Sequence, residues 1–190
     1  MRLLIRVMVT LTIAGVVSAC FGPRHDIPAV TGFDAQRYLG RWYEIARLPH
    51  GFEKDLVAVT ADYRQNTDGT IAIVNRGYLP AKQKWSEAIG KATLPDGPTV
   101  GRLSVSFFRP FYADYRVIAL DRDYRWAMVT TNRTTYLWIL CRSPEMDPAI
   151  VNRLVTRARE LGFDTAALIM VDQSVNLKAA PGSPAERTRR

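Results

Sequence analysis

GRWYEIARLP, residues 40–49, reads as a β-strand whose alternation fails to sort polar from apolar side chains. One set holds Trp42, Glu44 and Ala46, and the other holds Tyr43, Ile45 and Arg47. A packed core rejects an unpaired carboxylate, and a solvated face has no use for an indole. The wall of a hollow interior accommodates both. On that reading Trp42, Glu44 and Ala46 look inward, while Tyr43, Ile45 and Arg47 meet the outside, where Arg47 reaches water.

Outward from this stretch the chain repeats strand, turn, strand. Further strands are expected near 57–65, 70–77, 85–92, 102–108, 114–120, 126–131 and 135–141. Asn66-Thr67-Asp68-Gly69, Pro95-Asp96-Gly97-Pro98 and Asn132-Arg133 supply turn chemistry between them. With 40–48 these make eight strands, and the hairpin-like spacing favours an antiparallel up-and-down barrel over a sandwich. One C-terminal α-helix follows, with Asp147 as N-cap, Pro148 at its first position and Gly162 at its stop. Val151, Leu154, Val155, Ala158 and Leu161 give it one apolar stripe, suited to packing on the outside of the barrel. ALIMV, residues 167–171, reads as a short ninth strand.

The ends of the chain differ from its middle. Arg2 and Arg6, an apolar run and then Val17-Ser18-Ala19-Cys20 make residues 1–19 an export signal, short for a stable membrane span. The order before Cys20 resembles the lipobox of bacterial lipoproteins, which implies lipidation of Cys20; an ordinary signal cleaved after Ala19 is the alternative. Phe21 rather than an aspartate follows, which by analogy favours the outer membrane, with the domain facing the periplasm. Residues 20–33 read as a tether that, stretched, spans roughly 40 Å. Residues 34–174 form the folded domain, and 175–190 a basic, disordered tail. With Cys20 carrying lipid, Cys141 has no partner for a disulfide.

The net charge of +8 falls to +6 without Arg2 and Arg6, and Lys178, Arg187, Arg189 and Arg190 against Glu186 hold +3 of that in the tail. The folded part keeps about +3 with no basic stripe, so nucleic acid is not an expected partner. A mild attraction to anionic membrane surfaces remains.

Alternation in the later strands describes an interior. Leu103, Val105 and Phe107 share a face, as do Tyr115, Val117 and Ala119, and Tyr136, Trp138 and Leu140. Ser86, Ala88, Gly90 and Ala92 form a row of small side chains opposite Glu87 and Lys91. Eight strands enclose room for side chains or for one small ligand, and the small row favours a cavity. The alternative is a barrel filled by its own aromatics. Loops 49–56, 78–84, 109–113 and 132–134 meet at one end, bringing Phe52, Phe111 and Tyr112 beside Lys54, Lys82, Lys84, Arg109 and Arg133. An aromatic, basic rim suits an amphiphile with an apolar tail and an anionic head.

Gly40-x-Trp42, Leu120-Asp121-Arg122-Asp123-Tyr124 and Arg142 resemble the three signature regions of lipocalins. GRWYEIARLP, VSFFRPF, YRVIALDRDY and YLWIL together resemble the bacterial outer-membrane lipocalins, over roughly residues 34–173. The resemblance implies an all-β, eight-stranded lipocalin barrel that binds fatty acids or lysophospholipids during membrane biogenesis or maintenance. It places Trp42 at a closed end beneath the Arg142 guanidinium, with Gly40 letting the chain turn in; these, with Asp121 and Tyr124, are structural residues. Glu44, Ala46, Ala88, Gly90, Leu103, Val105, Phe107, Tyr115, Val117, Tyr136 and Trp138 are the candidate ligand-binding residues. The expected partners are this lipid and the membrane reached through the Cys20 lipid, with homodimerisation left open.

Catalysis is not expected. Cys141 has no histidine near it in sequence, and His25 and His50 with one thiol make no metal-ligand set. Asp121 and Asp123 read as turn chemistry. Neither a cofactor nor a metal is expected, and Glu44 is the one interior acid to watch. A lipid-acting enzyme on the same scaffold and a structural envelope lipoprotein with a filled barrel are the alternatives.

Overall fold

The computed structural model describes residues 26–179. The signal segment, Cys20 and the last residues of the tail lie outside the described residues. A short helix α1 (Ala35–Tyr38) leads into β1 (Gly40–Arg47), β2 (Val57–Gln65), β3 (Ile71–Leu79) and β4 (Lys84–Thr93). β5 (Arg102–Phe108), β6 (Phe111–Leu120), β7 (Trp126–Thr130) and β8 (Leu137–Cys141) complete the wall. Each strand pairs antiparallel with the next, and β1 pairs with both β2 and β8, so the eight strands close into a barrel. Then come α2 (Pro148–Glu160), β9 (Ile169–Met170) and α3 (Ser174–Ala179).

β9 adds to the upper part of β1, Met170 against Ala46 and Ile169 against Arg47. The Asp147 carboxylate accepts from the Ala149 amide at 2.8 Å to start α2, and Gly162 ends it at φ +86°. The apolar stripe of α2 packs outside the barrel: Leu154 joins Ile45, Ala46, Ile139 and Cys141, and Ala158 joins Leu48, Met128, Leu137 and Phe163. Each leucine or isoleucine fully covered there contributes about 1.5–3 kcal/mol, and each alanine less than about 1 kcal/mol.

A second cluster fills the lower barrel, from Phe33, Tyr38 and Trp42 to Ile71, Ile73, Leu103, Val117, Val129 and Leu140. Two expectations about the flanks change. Residues 26–33 are not a free tether: Val30 pairs with Val117 and Gly101, Thr31 bridges Val100, and Arg116 holds Asp26 and the Ile27 carbonyl. Residues 175–179 are helical rather than disordered, and Asn176 donates to the Ala58 carbonyl at 2.9 Å.

Candidate ligand-binding site

One end of the barrel is sealed by an interlocked set of rings. Trp42, fully buried, donates its indole N–H to the Tyr38 carbonyl at 2.9 Å. The Arg142 guanidinium lies 3.8 Å over the Trp42 ring and donates to the carbonyls of Arg41 (2.8 Å), Arg37 (2.7 Å) and Tyr124 (3.3 Å). Burial lowers its pKa, yet an arginine remains charged there, and that charge is what the indole face and the carbonyls hold. Gly40 has φ +92°, and a Cβ on it would meet the guanidinium at 3.3 Å, so backbone and space both call for glycine. Asp121 closes the β6–β7 turn by accepting from the Asp123 and Arg125 amides at 3.1 Å and from the Arg125 side chain at 2.9 Å. These bonds, the Arg125 side chain first, hold its carboxyl below the usual range. The Tyr124 hydroxyl takes the Asp34 amide at 2.7 Å, and Arg37 covers the ring.

Above this seal lies a floor of three hydroxyls. Tyr115 is within 2.6 Å of Tyr38 and accepts from Tyr63 at 3.0 Å. Burial keeps all three phenols neutral, Tyr63 pushed up to about 12. Two bonds among three hydroxyls leave one O–H proton for another acceptor. The Tyr38–Tyr115 bond can run in either direction, so that proton sits on Tyr115, which is half-buried, or on Tyr38, which is buried.

The walls sort by strand. Leu103, Val105, Val117 and, partly covered, Phe107 and Trp138 belong to the interior cluster. On β4 the small row runs from Ala92, buried, through Gly90, buried under the Phe107 ring, to Ala88 and Ser86, both exposed. β4 pairs with β5 only over Lys91–Thr93 and Ser104–Ser106, so a seam opens between the two strands toward the mouth. Across from Ala88, the Asn75 Oδ1 is buried without a partner among the described residues.

The opening stretch departs from strict alternation. The register of β1 against β8 shifts between Glu44 and Ala46, a bulge that reverses which side each later residue faces. Ala46, expected on the cavity wall, packs with Ile45 under α2. Arg47, expected in water, is 3% exposed and points inward, 2.7 Å from Glu44 Oε1. A similar shift between Val117 and Ala119 turns Ala119 outward, toward the cluster beneath α2.

Arg47 then organises the mouth. Beyond Glu44 it donates to the carbonyls of Glu53 (2.8 Å) and Leu56 (3.0 Å), pinning the β1–β2 loop. Leu56 packs on Gly77, where a Cβ would sit 2.9 Å from its side chain. Trp138 donates to Glu53 Oε2 at 3.2 Å, and His50 Nε2 stands 3.1 Å from the same oxygen, off the line of a good hydrogen bond. Tyr136 stacks on Trp138 at 5.9 Å, and Phe52 stacks on Tyr136 at 6.3 Å. Burial, then the Glu53 charge, pushes the Glu44 carboxyl well above its usual value, with Arg47 opposing. Glu53, despite burial, is lowered by His50, Trp138 and Arg47.

Ten of the eleven sequence-derived candidates thus fall along the inner wall or its rim, and Ala46 does not. Arg47, Glu53, Asn75, Tyr38 and Tyr63 belong to the same interior and were missed. Cys141 is 8% exposed beneath α2, and burial raises its thiol pKa, the reverse of an activated nucleophile.

An eight-stranded closed barrel, sealed at one end by the Trp42–Arg142 stack, polar-spotted on its inner wall and ringed by loops at the other end, is the architecture of a protein that binds small hydrophobic molecules. The chain belongs to the lipocalin family: the lipocalin-like domain model matches residues 33–173. It is 46% identical to the outer membrane lipoprotein Blc of Vibrio cholerae over 158 residues, 83% of this chain and 92% of the relative. It is 44% identical to the outer membrane lipoprotein Blc of Escherichia coli K12, covering 85% and 93% of the two chains. Insecticyanin from the tobacco hornworm Manduca sexta shares the fold at a TM-score of 0.64 and 19% identity, covering 80% of this chain and 87% of its own.

Proposed function

We propose that this protein is a lipid-anchored lipocalin of the outer membrane that carries fatty acids or lysophospholipids, a binding protein rather than an enzyme. The relatives named as outer membrane lipoproteins support the location, and the Cys20 motif supports the anchor. The observation that carries the ligand class is the small row of β4, sealed at Ala92 and progressively open through Ala88 and Ser86. An acyl chain fits against that row, Val105, Phe107 and Trp138, with the phenol floor and Asn75 meeting an oxygen or water.

The polar head stays near the mouth. Arg47 already spends its donors on Glu44 and on the Glu53 and Leu56 carbonyls, so the buried cation holds the loop rather than a ligand. An anionic head instead meets Lys54, Lys82, Lys84 and Arg109 on the rim loops, all exposed. Native mass spectrometry of detergent-free protein, with lipid extraction, tests this reading. One acyl ligand per barrel, or uptake of added lysophospholipid, is expected; neither being found overturns it.

A further inference from the structure

Exposed aromatic side chains gather at one end of the molecule. Phe52, Phe108, Phe111 and Tyr112 are 80, 77, 76 and 57% exposed; Phe52 stands on the β1–β2 connection, and the other three flank the β5–β6 turn at the mouth. Trp85, at the mouth end of β4, is 40% exposed. Single exposed apolar residues need no explanation, but a ring of them does. Exposed Lys54, Lys82, Lys84 and Arg109 stand among them, with Asp55 the exposed acid on the same loops. Aromatic rings flanked by lysine and arginine match the chemistry of an anionic bilayer interface.

The route of the N-terminal segment agrees. Phe33 packs against Tyr38 and Tyr124 at the closed end, whereas Ile27 packs in the cluster of Leu48 and Leu137, beside the mouth. Read backwards, the chain climbs the barrel wall toward the open end. Asp26 stands six residues after Cys20, a span of at most about 20 Å. That leash keeps the mouth, rather than the closed end, close to the surface holding the lipid.

We infer that the aromatic and basic rim is a second membrane contact, docking the barrel mouth-down on the anionic leaflet that holds the Cys20 lipid. The mouth and the seam between β4 and β5 then open directly onto lipid, and cargo enters without crossing water. This rests on the anchored reading above, and incorporation of labelled palmitate at Cys20 checks the anchor separately.

The lipidated full chain is placed on vesicles of mixed phosphatidylethanolamine and phosphatidylglycerol, carrying an environment-sensitive probe at Phe111→Cys or, in the closed-end turn, Asp68→Cys. The probe at 111 is expected to be shielded from a water-soluble quencher and the probe at 68 exposed. Equal accessibility, or shielding at 68 alone, overturns the docking. Shielding at 111 that depends on protein concentration and not on vesicles assigns the rim to a second copy and also overturns it. In the mature chain with Cys20→Ala, Phe108→Ser with Phe111→Ser is expected to weaken partitioning onto these vesicles about tenfold. Undiminished partitioning contradicts it.

Discussion

The closed and open ends use the same residue types for opposite purposes. At the closed end Phe33, Tyr38, Trp42 and Tyr124 are at most 7% exposed, and Arg142 binds three carbonyls over an indole. At the open end Phe52, Phe108 and Phe111 stand in solvent, and Arg47 is drawn inside to hold a loop. Rings locked on rings make a rigid seal. Rings left bare make a surface that can receive something else. The proposed function puts binding at the second end, and the locked rings put stability at the first.

The largest expected effect breaks the seal. Arg142→Ala strands the carbonyls of Arg37, Arg41 and Tyr124 and uncovers the indole, at a cost of about 3 kcal/mol in urea unfolding. A loss under about 1 kcal/mol would mean that the closed end is not where stability concentrates. Lipid uptake by the surviving folded fraction is expected to persist, because Arg142 lies outside the lumen.

A smaller effect sharpens the other end. Glu44 is raised by burial and then by Glu53, so the stability it contributes is complete below its ordinary value of 4.5 and is lost as pH rises through its elevated midpoint. Glu53 is lowered and acts in the reverse sense, its contribution being lost as pH falls through its depressed midpoint. Glu44→Gln is therefore expected to flatten the decline in stability on going from mildly acidic to neutral pH. Unfolding curves across that range read the slope, and an unchanged slope would remove Glu44 from the account.

Period-two alternation carried most of this architecture in the sequence. All eight wall strands, the capped α2 and the ninth strand lie where turn chemistry and apolar spacing place them, because those signals are local. Alternation assumes a regular ladder, and it failed at Glu44/Ala46 and at Val117/Ala119, where a bulge adds one residue and reverses the facing side. Arg47 was misplaced for that reason alone. Its proximity to Glu44, three residues away, was the available hint, since only a bulge lets that pair share one face. Glu53 and Leu56 were illegible for another reason: a loop folded back into a lumen has no periodicity to read.

The division between the two ends is tested most directly by filling the lumen without touching the seal. Ala88→Trp places an indole on the open part of the β4 row, away from the Trp42–Arg142 stack. Stability is expected to stay within about 0.5 kcal/mol of the parent protein, while binding of a fluorescent fatty acid is abolished. Full retention of fatty-acid binding by a folded Ala88→Trp protein would contradict the assignment of this lumen as the ligand chamber.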